Sequence, residues 1–112
     1  MEITEERRGD VKIIKFFGRL DAVASPDAEK RLMAAAAQDG VRIALDLSGL
    51  SYISSLGMRV LLSLAKQVQT GGGKMALAAI NDTVQEIFKL AGFTELFTVF
   101  QTTGEAAAYC AD

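Results

Sequence analysis

The sequence predicts an α/β domain built on a mixed, mostly parallel β-sheet of about five strands, with about four helices and an opening β-hairpin. From residue 11 onward, short β-branched or apolar segments alternate with amphipathic segments. Such alternation places successive strands parallel through right-handed crossovers. Before them, two strand-like segments are separated only by Gly9-Asp10, a turn signal that adds an antiparallel pair. A length of 112 residues suits one core, so residues 1–112 are expected to form a single domain.

The first three elements are bounded by turn-forming and helix-starting residues. Residues 11–17 are rich in β-branched and aromatic side chains and are predicted to form a strand that pairs with residues 3–8. A helix is then predicted to begin at Ser25 as its N-cap, with Pro26 at its first helical position, and to end at Gly40.

The middle of the chain carries a strand pattern followed by a helix pattern. Apolar and polar residues alternate over residues 41–48, which predicts a strand with one apolar face. A turn at Ser48-Gly49 is predicted to lead through residues 50–53 to a second helix over residues 55–70. The three glycines at 71–73 are expected to end that helix.

The last third of the chain repeats the alternation. Residues 75–80 are uninterruptedly apolar, which is typical of a strand covered on both faces. Asn81 or Asp82 is predicted to cap a third helix, and a last strand is predicted over residues 96–100. Residues 102–105 have the spacing of a capping box, so a final helix should follow.

Composition excludes several classes of function. Twelve basic and 14 acidic residues give a net charge of −2, and no basic run indicates nucleic acid or an anionic membrane. The absence of His excludes a Ser-His-Asp triad, a Cys-His pair and a His-bearing zinc site. The single cysteine, Cys110, fits a reducing compartment. No segment resembles a transmembrane helix or signal peptide, so we expect a cytoplasmic protein that is not an enzyme and needs no metal or cofactor.

Residues 44–62 carry a resemblance to a known family. Their sequence, ALDLSGLSYISSLGMRVLL, resembles the STAS domain family, specifically its stand-alone bacterial anti-sigma-factor antagonists. In that family a strand ending in Asp/Asn-Leu and a turn lead to Asp-Ser-Ser/Thr-Gly-Leu-Gly at the start of a helix. Residues 18–21, GRLD, resemble the family's Gly-Glu-Leu-Asp, and residues 79–92 resemble its third helix and the turn after it. The resemblance covers essentially the whole chain.

The resemblance implies a phosphorylation site at the start of the second helix. Aligned without gaps, the family's phosphorylated serine falls on Ser55, with Ser54 as the second choice. Ser54 stands where the family has Asp, and Gly57 matches the helix-opening glycine. A serine at a helix start is also explained as an N-cap, so the structural and the regulatory interpretations both stay open here.

The resemblance also implies a partner-switching function. The unmodified chain, as a monomer or weak dimer, would bind an anti-sigma factor that is also a serine kinase and so release a sigma factor. Phosphorylation from ATP would end that binding, and a phosphoserine phosphatase would restore it. The alternative is a non-phosphorylated STAS scaffold or accessory subunit of a lipid-transport or multi-protein signalling complex, which Ser54 in place of Asp keeps open. No residue requires a bound nucleotide.

The partner surface is expected to surround Ser55. Its candidate residues are Asp21, Asp46, Ser54, Leu56, Gly57, Met58 and Val60. The two aspartates lie near predicted strand ends, which share one edge of a parallel sheet, although a turn or capping role explains them as well. Leu56 and Val60 are predicted to project away from the core beside Ser55, while single exposed apolar residues are also ordinary on a helix.

Overall fold

The computed structural model describes all 112 residues. Five strands and four helices follow one another along the chain. Their bounds are β1 Glu2–Arg8, β2 Val11–Leu20, α1 Ser25–Ala35, β3 Arg42–Ile53, α2 Ser55–Thr70, β4 Lys74–Ala78, α3 Asp82–Leu90, a 3-10 turn Thr94–Leu96, β5 Val99–Phe100 and α4 Thr103–Ala111. None of these helices has the length and hydropathy to cross a membrane.

The sheet has the mixed topology that the sequence predicts. Its spatial order is β1-β2-β3-β4-β5. The opening hairpin pairs β1 with β2 antiparallel, and every later pair of neighbours is parallel. Parallel strands that are adjacent both in sequence and in space each need a crossover connection. The carboxyl ends of β2, β3 and β4 therefore lie at one edge of the sheet.

Helices cover both faces of the sheet, but unequally. A cluster of 21 buried residues lies between the sheet and α1, α2 and α3, and it includes Phe16 and Phe88. On the opposite face α4 packs alone, over a cluster of eight that contains Ala44, Ala76 and the buried Cys110. Most residues of this smaller cluster have short side chains. The starts of α1, α2 and α3 consequently lie on the more extensively covered face.

Several predicted boundaries are confirmed. The second helix spans Ser55–Thr70 as predicted, and the hairpin turns at Gly9-Asp10. Asn81 caps α3 by accepting a hydrogen bond from the backbone N–H of Val84. The capping box that precedes α4 is present in both of its hydrogen bonds. These are the elements whose ends are determined by side chains close to them in sequence.

The predicted cap of α1 is wrong. Ser25 is the first residue inside the helix, and the N-cap is Ala24, which makes no side-chain cap bond. The Ser25 hydroxyl instead donates to the carbonyl oxygen of Asp21 at 2.6 Å, and Ser25 is only 1% exposed. The helix also ends at Ala35 and not at Gly40. Gly40 has a φ of 72° and belongs to the turn that leads into β3.

The predicted turn at Ser48-Gly49 is also absent. β3 runs unbroken through Arg42–Ile53. Its register with β2 slips by one residue between Asp46 and Gly49, and again by one at Ser51. Extra residues of this kind are β-bulges, which bend a strand without ending it. The polar Ser-Gly pair thus marks an irregularity inside one long strand.

The last strand is shorter than predicted. β5 contains only Val99–Phe100, because the chain after α3 first forms the 3-10 turn, in which the N–H of Leu96 bonds the carbonyl of Phe93 at 3.1 Å. β4 likewise stops at Ala78, and Ala79 has a φ of 58°. Positive φ is costly for a residue with a Cβ, and it turns the chain out of the sheet toward α3.

Candidate functional site at the start of α2

The candidate site is built where β2 and β3 end side by side. Leu20 closes β2 and Ile53 closes β3, and these two residues are partners in the parallel register. The backbone N–H of Ser54 donates to the carbonyl oxygen of Leu20 at 3.0 Å. The Ser54 hydroxyl donates to the same oxygen at 3.3 Å. The end of β2 therefore fixes the position from which α2 begins.

Ser54 is the N-cap of α2. Its backbone is extended, with φ −87° and ψ 171°, and its Oγ accepts a hydrogen bond from the backbone N–H of Gly57 at 3.1 Å. A cap of this kind satisfies one of the amides that helix geometry leaves without a partner. The Ser54 hydroxyl is thus engaged both as a donor and as an acceptor.

Ser55 differs from its neighbour in every one of these respects. It is the first residue of α2, it is exposed, and its hydroxyl makes no hydrogen bond within the protein. The N–H groups of Ser55 and Leu56 lie in the first helical turn, so neither has an intrahelical acceptor. A negatively charged group on Ser55 would lie against the positive end of the helix dipole.

Gly57 is a packing residue. A Cβ built on it would lie 2.6 Å from the carbonyl oxygen of Leu20 and 2.9 Å from the Leu20 Cγ. Only glycine lets the first turn of α2 approach the end of β2 this closely. Gly57 is itself buried, so its contribution to a surface is the shape of the backbone.

The apolar neighbours of Ser55 divide into one exposed and two buried residues. Leu56 is 41% exposed, whereas Met58 and Val60 are each 4% exposed. The prediction that Val60 projects away from the core is therefore wrong. The reason is that α2 packs against α1 as well as against the sheet. More of the circumference of α2 is therefore buried than in a helix that packs only against a sheet.

The turn after β2 borders the same edge of the sheet. Asp21 follows Leu20 directly, and its Oδ1 accepts a hydrogen bond from the backbone N–H of Ala24 at 2.9 Å, the turn role that the sequence left open. Val23, in this turn, is 89% exposed. Val23 was not among the residues predicted for this surface, although an apolar residue isolated between a strand and a helix is a signal visible in the sequence.

A cation–π pair, Arg19 and Tyr52, also lies at this edge. The guanidinium of Arg19 lies over the ring of Tyr52, 4.3 Å from its centroid, and the two residues are partners in the register of β2 and β3. Such cation–π stacking orders a long side chain at the surface. It leaves Arg19 positioned beside the strand ends and engaged with a partner.

Asp46 lies away from this site, and the prediction that it lines the rim around Ser55 is wrong. It precedes the end of β3 by seven residues, because β3 continues to Ile53. Burial of Asp46 opposes its ionisation, but hydrogen bonds from Ser48 and Thr103 and the charge of Lys15 outweigh that effect, so the pKa of Asp46 lies below its usual value. The Asp46 Oδ1 accepts its hydrogen bond from the backbone N–H of Ser48, at 2.9 Å, within the same strand.

The site contains no set of groups suited to a metal ion. No three His, Cys, Asp or Glu side chains lie together anywhere in the chain. The one cysteine, Cys110, is buried under α4, and burial raises the pKa of its thiol. What the edge of the sheet offers is a free serine hydroxyl, an exposed leucine and a helix N-terminus.

Comparison with known proteins gives one consistent result. The sequence model of the STAS domain matches residues 2–106. A protein of Bordetella bronchiseptica, BtrV, whose name describes it as an anti-sigma factor antagonist, is 32% identical over 108 residues, which cover 96% of this chain and 93% of that protein.

Solved structures agree on the fold. A STAS domain protein from Planctomyces limnophilus, described as an anti-sigma-factor antagonist, superposes with a TM-score of 0.88 at 21% identity and covers 98% of each chain. The Bacillus cell fate determinant SpoIIAA, in its phosphorylated form, superposes with a TM-score of 0.73 at 21% identity, over 99% of this chain and 100% of that one.

Proposed function

Because the chain belongs to the STAS domain family, we propose that it is an anti-sigma factor antagonist whose binding to its partner is ended by phosphorylation of Ser55. The name of the Bordetella relative supports the first half of this proposal. The second half is supported by the existence of a phosphorylated form of SpoIIAA and by the surroundings of Ser55.

The observation that carries the proposal is the different use of two adjacent serines. Ser54 has its hydroxyl engaged with Leu20 and Gly57, so modification of Ser54 would remove the cap of α2. Ser55 is exposed and makes no such bond. A kinase could therefore reach the Ser55 hydroxyl without local unfolding of α2. A phosphate on Ser55 would contact the backbone amides of the first helical turn and would not enter the core.

The switch would act through the surface next to Ser55. Phosphorylation adds about −1.5 to −2 charges at neutral pH. Leu56, exposed beside it, is the kind of apolar residue that a partner buries on docking. A charge placed at the margin of a buried apolar contact has to lose its hydration or keep the surfaces apart. Binding of the partner would accordingly weaken.

We assign the remaining residues of the proposed surface by their exposure. Asp21, Ser54 and Leu56 would face the partner directly. Gly57, Met58 and Val60 are buried and would act by holding the first turn of α2 in place. Asp46 lies too far along β3 to take part.

The chemical cycle needs two partners. An anti-sigma factor with serine kinase activity would transfer the γ-phosphoryl group of ATP to the Ser55 Oγ: an O–P bond forms to serine, the bond to ADP breaks, and the hydroxyl proton is lost. A phosphoserine phosphatase would hydrolyse the ester and restore the hydroxyl. In this cycle the chain is the substrate and the ligand of other proteins.

Intact mass spectrometry tests the site. The chain is incubated with ATP and an anti-sigma factor kinase from the same genome, beside Ser55→Ala and Ser54→Asp variants. Asp retains the ability to cap the helix, so the second variant changes position 54 without removing the cap. We expect one added phosphoryl group on the wild type and on Ser54→Asp, and none on Ser55→Ala. Phosphate on Ser55→Ala, or on none of the three, contradicts the proposal, and the second of these results favours a non-phosphorylated scaffold.

A further inference from the structure

We propose that Arg59 is the intramolecular partner of a phosphate on Ser55. This inference rests on the proposed function only in taking Ser55 as the modified residue. It assigns a role to a side chain that neither the packing of the fold nor the cap of α2 uses. The proposed role is to hold the phosphate against the first turn of α2.

Position along the helix brings the two residues together. Ser55 and Arg59 are four residues apart in α2, a spacing that places side chains one above the other on the same face, about 6 Å apart along the axis. Both residues are exposed, whereas Gly57 and Met58 between them are buried. Long side chains in a helix generally lean toward its N-terminal end, a direction that would bring the guanidinium of Arg59 toward position 55.

Arg59 has no other partner in the structure. The two ion pairs of the protein join β1 to β2, through Lys12 and Lys15. The other arginines with defined contacts are engaged elsewhere: Arg19 on the Tyr52 ring, Arg31 on the carbonyl of Ile3 and Arg42 on carbonyls at the end of α4. An exposed arginine without a partner is available for an anion placed within its reach.

The charge on α2 is also one-sided. The helix contains Arg59 and Lys66 but no Asp or Glu, and its first turn has no acidic residue. Acidic groups near a helix N-terminus are stabilising because they complement the dipole. A phosphate on Ser55 would be the first negative group of this helix, and it would meet both the dipole and a guanidinium.

A guanidinium suits a phosphate better than an ammonium does. Its planar fork can donate two parallel hydrogen bonds to two phosphate oxygens. Arg19, which is stacked on Tyr52, and Asp21, which is bonded to Ala24, flank the end of β2, and Asp82 is the first residue of α3, which follows β4 at the same edge. The two aspartates oppose the phosphate and Arg19 favours it, but all three are present whatever stands at position 59, so a change at 59 isolates the contribution of its own side chain.

Phosphorus NMR measures this contribution directly. Phosphoserine is placed at position 55 during translation, so no kinase is needed, and the second pKa of the phosphate is obtained by titration. The same titration is made on Arg59→Gln and on Lys66→Gln. Lys66→Gln removes one positive charge from the same helix, about 16 Å from Ser55 along its axis, and is the matched control. Arg59→Lys keeps the charge and loses the fork.

The expected result is a local effect. Arg59→Gln should raise the phosphate pKa by about 0.3 units, Lys66→Gln should raise it by less than about 0.1 units, and Arg59→Lys should fall between wild type and Arg59→Gln. Equal pKa values in wild type and Arg59→Gln, or equal shifts in the two Gln variants, overturn the inference. Either result leaves the phosphorylation of Ser55 by a kinase untouched, since that is measured separately by intact mass.

Discussion

At the scale of single residues, Ser54 and Ser55 show how two adjacent serines can have different surroundings. Both serines could serve as a cap on sequence grounds alone. The backbone decides between them, because only Ser54 has the extended conformation of an N-cap. Its Oγ therefore faces Gly57, and the Ser55 hydroxyl is left to solvent.

This division predicts unequal effects of truncation. Ser54→Ala should lower the free energy of unfolding by about 1 kcal/mol, the usual effect of losing a helix cap. Ser55→Ala should change it by less than about 0.5 kcal/mol, as surface substitutions do. Chemical denaturation of the two variants and the wild type measures both values. A larger loss from Ser55→Ala than from Ser54→Ala would show that the assignment of the N-cap to Ser54 is wrong.

Asp46 supplies a prediction about pH. Its pKa is held below the usual value of 3.8 by the Ser48 and Thr103 hydrogen bonds and by Lys15, against the opposing effect of burial. A carboxyl whose pKa is lower in the folded state stabilises the fold above its unfolded pKa, and that stabilisation is lost as the pH falls through the folded value. Asp46→Asn should therefore cost stability at pH 7, by about 0.5 kcal/mol because the partly exposed carboxyl is screened by solvent.

Measuring the effect of Asp46→Asn at low pH, where the wild-type carboxyl is neutral, provides the control for the effect at pH 7. Denaturant unfolding of wild type and variant is compared at pH 7 and at successively lower pH. The two free energies should converge as the pH falls below the lowered pKa of the folded-state carboxyl, where the wild-type carboxyl is protonated in both states. A gap between the two proteins that is the same at every pH would mean that the charge of the Asp46 carboxylate does not stabilise this part of β3.

At the scale of elements, the start of α2 depends on a close approach between a helix and a strand end. Gly57 makes that approach possible, since a Cβ there would overlap the backbone of Leu20. Ser54 bonds the same carbonyl group. The N-cap Ser54 and the glycine Gly57 thus both contact the carbonyl group of Leu20 at the end of β2.

Two helical glycines allow a matched test of this approach. Gly57→Ala should lower the free energy of unfolding by about 1–3 kcal/mol, the usual cost of overpacking. Gly104, in the first turn of α4, has its nearest neighbour 4.0 Å from a built Cβ. Gly104→Ala should leave stability unchanged or raise it, because Ala is the better helix former. Thermal unfolding measures both, and a neutral Gly57→Ala would contradict the packing described here.

The elements also show where a sequence is informative. The bounds of α2 and the start of α4 could be predicted because the side chains that determine them lie within a few residues. The start of α1 could not, since its turn is organised by Asp21, four residues before Ser25. The long β3 was divided at Ser48-Gly49 because a bulge and a turn use the same residue types. Only pairing with β2 distinguishes the two.

At the scale of the whole molecule, the sheet topology determines where the site lies. Parallel β2 and β3 end at the same edge, and this is the edge at which ligands are usually bound in sheets of this type. The family resemblance located Ser55 at this edge from sequence. The burial of Val60 and the remoteness of Asp46 could not be predicted, because they depend on α1 packing along α2 and on the two bulges that lengthen β3.

The same topology explains how a charge could be added without disturbing the fold. The larger core lies beneath α2, and Ser55 is outside it at the exposed start of the helix. Any effect of phosphorylation is therefore expected in binding and not in folding. A measurement of binding tests this expectation most directly.

That measurement is a calorimetric titration of an anti-sigma factor kinase with the wild type, Ser55→Ala and Ser55→Asp. Ser55→Ala keeps the surface neutral and should lose at most about 1 kcal/mol of binding free energy. Ser55→Asp places a charge at the docking surface and should lose about 2–5 kcal/mol, or roughly 30-fold to several-thousand-fold in affinity, while its thermal stability stays close to that of the wild type. If Ser55→Asp binds as tightly as the wild type, position 55 lies outside the interface and the proposed switch is wrong.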